Sequence, residues 1–229
     1  MGLTAKERVE LRRQRSAELY AYQEEVVSEF SGTPPEGPVI GLDEVGRGPL
    51  AGPLTVAAVC LPAEPLLSDI DDSKKLTPAR REKSAAEIAE VALGIGMAHI
   101  QPAEIDAAGM SASLRVAFSR ALASCLADLS EHGVAAEPRA VLVDGRPLSI
   151  HPREHALVKG DSKAASIAAA SIVAKVARDA IMDALAEVHP GYGWESNKGY
   201  GTAAHIAAIR ELGPTDLHRK SFLGNILSS

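Results

Sequence analysis

Four carboxylates stand immediately after short apolar runs: Asp43 and Glu44 after Val39-Ile-Gly-Leu42, Asp144 after Ala140-Val-Leu-Val143, and Asp161 after Ala156-Leu-Val-Lys-Gly160. Such runs read as buried strands, and strand ends in an α/β sheet are where loops bring distant side chains together. Carboxylates gathered there repel one another and take up protons unless cations neutralise them. Hard divalent ions such as Mg2+ or Mn2+, which prefer oxygen ligands, supply that neutralisation. Two such ions about 3.5 to 4 Å apart can activate a water and stabilise a leaving oxygen, so the pattern suggests metal-assisted phosphodiester hydrolysis. Consecutive strand residues point to opposite faces, so Asp43 and Glu44 share a site only if the strand ends or distorts at them. Gly46 and Gly48 directly afterwards would permit that.

The elements that position these acids emerge from periodicity and caps. Thr4 to Phe30 reads as a charged, capped helix, and Ser31-Gly-Thr-Pro-Pro-Glu-Gly-Pro38 is turn chemistry that separates it from the rest of the chain. Residues 1–35 are therefore expected to be a helical extension and 36–229 the catalytic domain. Strands are expected at Val39–Leu42, Leu54–Leu61, Leu93–Ile100, Ala140–Val143 and His155–Val158. Thr77-Pro78 opens a helix to about Ala92, and Ser111–Glu131 carries apolar residues at helical spacing. Ser162–Val188 is a long Ala- and Ser-rich helix suited to close packing on a sheet, and a loop over 190–201 leads to a last helix, Thr202–Leu212. Strands first and alternation later indicate an α/β domain with a mixed sheet.

Composition sets limits. A chain of 229 residues with 46% hydrophobic and 3% aromatic residues builds an aliphatic core, most economically in one domain. A net charge of -6 argues against non-specific coating of nucleic acid, although 10 Lys and Arg against 9 Asp and Glu from residue 140 onward leave that part near neutral. The first thirty residues contain no apolar run of signal-peptide length, and none anywhere approaches about 18 residues, so a cytoplasmic protein without membrane contact is expected. Cys60 and Cys125 belong to no paired motif and read as buried small hydrophobes.

The string Asp43-Glu-Val-Gly-Arg-Gly-Pro-Leu-Ala-Gly-Pro53 lacks the Gly-Lys-Ser/Thr ending of a nucleotide-binding loop, and Pro49 and Pro53 remove amide donors. It resembles instead the signature of the type 2 ribonucleases H, in the bacterial ribonuclease HII branch. The likeness recurs at Asp72-Ser-Lys-Lys-Leu76, Val143-Asp-Gly145, Lys159-Gly-Asp-Ser162, Ala169-Ala-Ser-Ile-Val-Ala-Lys175, Lys198-Gly-Tyr-Gly-Thr202 and His218-Arg-Lys-Ser-Phe222, across roughly residues 38 to 223. The resemblance implies a ribonuclease H-like α/β fold, a mixed five-stranded sheet flanked by helices, and a two-metal site for Mg2+ or Mn2+ formed by Asp43, Glu44, Asp144 and Asp161. It implies cutting of the RNA strand of RNA–DNA hybrids and at ribonucleotides embedded in duplex DNA, leaving 3′-hydroxyl and 5′-phosphate ends; a monomer is expected. It further implies that Gly46, Arg47 and Gly48 contact the ribose 2′-hydroxyl and nearby phosphates, and that Tyr200 packs on the following sugar. The 2′-hydroxyl is the group that tells RNA from DNA. The N-terminal extension lies outside the family core, and Lys220 stands where Arg is frequent. The sister ribonuclease HIII differs at the Gly-Arg-Gly loop and carries a whole added N-terminal domain. A HIII-like preference for long hybrids, and hybrid binding without turnover, are the competing readings.

Other residues have plainer readings beside functional ones. Lys74, Lys75, Lys159, Lys163 and Lys198 would hold phosphates, with Lys74 and Lys198 the favoured pair, or remain solvated. His218 lies near the site or is a satisfied structural histidine. His151 and His155 lack the partners of a zinc site. Asp179 is expected in a helix salt bridge, and Trp194 beside Tyr192 in loop packing.

Overall fold

The computed structural model describes residues 3–30, 36–134 and 137–227. A five-stranded sheet in the order β3-β2-β1-β4-β5 is built from β1 (Val39–Val45), β2 (Leu54–Cys60), β3 (Gly94–Ile100), β4 (Ala140–Asp144) and β5 (Glu154–Leu157). β1 and β2 pair antiparallel, as do β2 and β3, whereas β1–β4 and β4–β5 are parallel, so the sheet is mixed as expected. The two parallel steps bring the C-terminal ends of β1 and β4, each carrying an acid, to the same edge of the domain.

Each sheet face is covered because alternate residues point to opposite sides. Ile40, Leu42, Leu54, Val56 and Ala58 turn to one face and pack on α4 (Met110–Glu131) through Leu114, Phe118, Ala121 and Leu122. Ala57 and Val59 turn to the other, against α5 (Ala165–Val188), whose Ala165, Ala168, Ala169, Ala170 and Ala174 are all buried. The small side chains let the helix lie close to the sheet: a Cβ at Gly41 of β1 would collide with the Ser166–Ile167 backbone. α2 (Pro78–Val91), opened by the Thr77 cap and Pro78, adds Ile88 to this second layer.

α1 (Ala5–Glu29) begins in a Thr4–Glu7 capping box. The expected turn over 31–38 and the boundary at residue 35 fall largely outside the described residues. α1 is joined to the sheet's own core: Leu19 and Tyr20 are buried with the α5 alanines and Ile88, and Val27 with Val39 and Ala140. Gln23 Oε1 accepts from the Ser166 amide at 2.8 Å and the Ser166 hydroxyl at 2.7 Å.

Three local expectations are corrected. β1 does not end at Leu42; its ladder with β2 continues unbroken through Asp43↔Ala57, Glu44↔Val56 and Val45↔Thr55. The long helix starts at Ala165 rather than Ser162, because Gly160–Ser162 forms a separate 3-10 turn. Short helices went unread: α3 (Pro102–Ala108) ahead of α4, α6 (Trp194–Asn197) inside the loop before α7 (Ala203–Leu212), and α8 (Gly224–Leu227) at the end. No helix among the described residues is long and apolar enough to cross a membrane.

The burial of Leu19 gives a direct check on α1. Leu19→Ala is expected to destabilise the protein by about 2–5 kcal/mol in denaturant unfolding, the usual cost of truncating a buried leucine. A cost below about 1 kcal/mol would mean that α1 is not held by this core.

Candidate metal centre

The β1–β4 ladder stops at Leu42↔Val143, so the next residues, Asp43 and Asp144, flank the place where the two parallel strands cease to pair. Asp161 reaches the same place from the 3-10 turn after β5. Carboxylate oxygens of Asp43, Asp144 and Asp161 all lie within 4.8 Å of one another. Two full negative charges at that separation repel by about 3–4 kcal/mol at an effective dielectric near 20. The nearest opposing charge is the Lys74 ammonium, 3.2 Å from Asp161 Oδ2, and its side chain is largely exposed. One screened cation cannot balance three acids.

Their protonation reflects this. Burial, then the neighbouring charges of Glu44 and Asp144, push the Asp43 carboxyl well above the ordinary range, partly offset by a Ser171 hydroxyl and the Glu44 amide, which donates to Asp43 Oδ1 at 2.7 Å. Burial also raises Asp144; the Gly160 amide, donating to its Oδ1 at 2.6 Å, works against this and Asp161 adds to it. A site made only of carboxylate oxygens, partly buried and short of positive charge, fits a hard divalent cation better than any arrangement of protons. Asp43, Asp144 and Asp161 are the residues placed to hold one.

Glu44 stands differently. Its strand partner Val56 belongs to the α4 face and that of Asp43, Ala57, to the α5 face, so the regular strand sends the two acids to opposite sides. The expectation that β1 must distort to unite them is corrected: the backbone stays regular, and Glu44 lies outside the tight trio. It remains electrically part of the neighbourhood. Burial raises its carboxyl, Arg47, whose Nη1 lies 3.4 Å from Oε1, lowers it, and Asp144 raises it.

Beyond β1 the chain turns through Gly46, at φ 93°, into exposed Arg47 and Gly48. Tyr200, 42% exposed, stands beside this loop, its Cε1 4.0 Å from where a Cβ on Gly48 would sit. The lysines divide. Lys74 touches Asp161, Lys75 pairs with Asp71 at 3.2 Å, and Lys159 and Lys163 are exposed on either side of the Asp161 turn. Lys198 directs its ammonium to Asp183 and to the Glu195 carbonyl at 2.8 Å.

The histidines read as structural. Nδ1 of buried His218 accepts from the Thr215 amide at 3.0 Å, which leaves its proton on Nε2, 3.3 Å from His205 Nε2. That nitrogen also accepts from the Trp194 indole at 3.0 Å, so the His205 proton sits on Nδ1 and is donated to the Tyr200 carbonyl at 2.9 Å. Burial, then His205, depress His218 to about 4, which keeps this network neutral. Its end point is the Tyr200 backbone. His155 stacks on Phe30 with centroids 3.5 Å apart and His151 Nδ1 accepts from the Arg153 amide at 3.1 Å, so both are otherwise engaged. Asp179 forms its helix salt bridge with Lys175 at 2.7 Å, Trp194 and Tyr192 are buried in their loop, and both cysteines are buried.

Sequence reasoning passed over Ser73 and Ser171, whose hydroxyls lie 2.9 Å apart with Ser171 also on Asp43, and the buried Arg178 and Arg219. The signal was available: Ser73, Ser171 and Arg219 lie inside three of the recurring motifs.

The chain matches the family model described as Ribonuclease HII over residues 40–224. It is 50% identical over 186 residues to a ribonuclease HII of Cereibacter sphaeroides, covering 80% of this chain and 83% of that protein. It is 43% identical over 217 residues to a ribonuclease HII of Geobacillus thermodenitrificans, covering 95% and 78%. Its fold resembles the ribonuclease H2 of Pyrococcus horikoshii with a TM-score of 0.68 at 25% identity, over 83% of this chain and 97% of that one. A likeness in fold alone extends to Bst-RNase HIII in complex with Mn2+, with a TM-score of 0.62 at 22% identity over 90% and 78%.

The electrostatics predict opposite effects of one substitution with and without metal. Metal-free Asp43→Asn, relieved of a buried charge, is expected to melt about 2–4 °C above the metal-free parent, the shift of roughly 1 kcal/mol in a chain of this size. It should also lose most of the rise that Mn2+ gives the parent in a thermal melt. Equal Mn2+ stabilisation of parent and variant would remove Asp43 from the site.

Proposed function

This chain belongs to the ribonuclease HII family, endoribonucleases acting on RNA–DNA hybrids, and within that activity we propose that it also cuts DNA duplexes at embedded ribonucleotides. The products are 3′-hydroxyl and 5′-phosphate ends. The observation that carries this reading is the convergence of Asp43, Asp144 and Asp161 beside a loop and an exposed tyrosine suited to a ribose.

Asp43, Asp144 and Asp161, joined from the margin of the trio by Glu44, whose carboxyl interacts with that of Asp144, are the proposed holders of a pair of Mg2+ or Mn2+ ions, which when bound would supply an activated water and charge neutralisation at the leaving oxygen. The chain's own groups do the positioning. The Gly160 amide and the Ser171 hydroxyl hold the carboxylates of Asp144 and Asp43 in place. Gly46, Arg47 and Gly48 offer backbone donors to the 2′-hydroxyl and adjacent phosphate, and Tyr200 packs on the next sugar. Lys74, free to leave Asp161, would follow a phosphate, and Lys198 would join by exchanging Asp183 for one. Residues 36–229 carry the reaction as a monomer in the cytoplasm, with residues 1–35 as an extension. The cellular work of such an activity is removal of ribonucleotides and RNA primers from DNA.

A labelled DNA duplex containing one ribonucleotide tests this. The protein is expected to nick it only with Mg2+ or Mn2+, and Asp144→Asn to lose roughly 100-fold or more, since even groups that merely orient a ligand cost 10–100-fold. Nicking without divalent ions, or by the variant at the parent's rate, would contradict the proposal.

A further inference from the structure

Two arginines with no exposed surface, Arg178 of α5 and Arg219 of the His218–Phe222 segment, lie beneath the loop after β1. Among the described residues no carboxylate pairs with either. Buried guanidinium groups ordinarily need an anionic partner, and here every hydrogen bond is to a main-chain carbonyl. Arg219 donates from Nη2 to Gly46 O at 2.6 Å and Gly52 O at 2.9 Å, from Nη1 to Arg47 O at 3.0 Å and from Nε to Gly52 O at 3.1 Å. Arg178 donates from Nε to Pro53 O at 2.9 Å, from Nη2 to Ala51 O at 3.2 Å and from Nη1 to Lys198 O at 3.0 Å. Its Cζ also sits 5.9 Å from the centre of the Tyr200 ring.

The planar trans peptide gives these bonds a consequence on the opposite side of the loop. In each peptide unit the C=O and the next residue's N–H point in opposite directions. With the carbonyls of Gly46 and Arg47 drawn inward by Arg219, the amides of Arg47 and Gly48 are turned outward, at two exposed residues. Successive outward amides form a concave donor pair suited to an oxygen ligand, and each is polarised by the cation behind its peptide. Gly46 is sterically committed to the arrangement: a Cβ there would run into Arg178 Nε.

We infer that Arg219 and Arg178 are specificity-determining positioning residues: Arg219 turns the Arg47 and Gly48 amides outward as the donors that read a ribose hydroxyl, and Arg178 fixes that pair relative to Tyr200. This rests on the proposed ribonucleotide recognition. Neither arginine touches substrate, and neither bonds to the three aspartates, so the metal centre and the reading loop are separately supported.

The experiment compares the full-length protein with Arg219→Lys, which keeps the charge but cannot serve three carbonyls in the planar fork. Anisotropy in Ca2+ gives the ratio of affinities for a duplex containing one ribonucleotide and for the all-DNA duplex of the same sequence. A Mn2+ thermal shift reports separately on the acids. The inference predicts a ratio reduced at least tenfold toward parity with the Mn2+ shift retained; an unchanged ratio overturns it. Should Arg219→Lys fail to fold, amide hydrogen exchange on the parent protein decides. Slowed exchange at Arg47 and Gly48 with the ribonucleotide duplex, and not with all-DNA, supports the inference, and equal exchange overturns it. If the parent itself shows no preference and no nicking, the recognition reading has failed rather than the role of the arginines.

Discussion

Three carboxylates within 4.8 Å of one another oppose folding of the chain that brings them together. The repulsion is several kcal/mol by Coulomb's law at any reasonable interior dielectric, comparable with the whole margin by which a domain of this size is stable. It is tolerated because the rest of the molecule is rigid where the acids are mounted. Asp43 continues a strand hydrogen-bonded to β2, Asp144 ends a strand between two parallel neighbours, and the amide of Gly160 ties Asp144 to the turn that carries Asp161. The alanine-lined contact between α5 and the sheet holds Ser171 against Asp43. A divalent cation held among the three acids would remove this repulsion.

Opposite charge is used elsewhere and for another purpose. The two most buried cations, Arg178 and Arg219, do not neutralise the acids; they hold carbonyls of the loop beside them. Placed among the carboxylates they would compete with metal. Beneath the loop they shape the backbone while the trio stays open to a cation. The neutral chain from Thr215 through His218 and His205 to the Tyr200 carbonyl supports the same region without adding charge. The site therefore has an acidic half, which needs an ion, and a half whose donors and ring are held by buried groups.

Much of this was legible in the sequence. An acid directly after a short apolar run marks a buried strand near its C-terminal end, and that signal puts Asp43 and Glu44 on β1 and Asp144 on β4, although β1 runs on to Val45; the recurring motifs point to the mixed five-stranded sheet. What resisted reading has physical reasons. A strand that ends or distorts to bring Asp43 and Glu44 together is what the sequence leads one to expect, because Gly46 and Gly48 follow directly; only the ladder through Val45↔Thr55 shows that the backbone stays regular. α3, α6 and α8 span 7, 4 and 4 residues, too few turns for periodicity to show. Arg178 and Arg219 carry the residue type most expected at the surface, and their burial depends on carbonyls supplied from residues 46 to 53 and from Lys198, contacts with no local signature. A charged helix ahead of a turn suggests an extension and gives no local sign that its Leu19, Tyr20 and Val27 bury against the rest of the protein.

The space shared by Asp43, Asp144 and Asp161 has the make-up of a divalent cation site. Anomalous diffraction from crystals soaked in Mn2+ tests it most directly. A manganese peak is expected, bounded by oxygens of these three residues at distances of about 2.0–2.6 Å, the range of hard-cation oxygen ligation. A map with no peak there, or with manganese only at unrelated surface carboxylates, would contradict it.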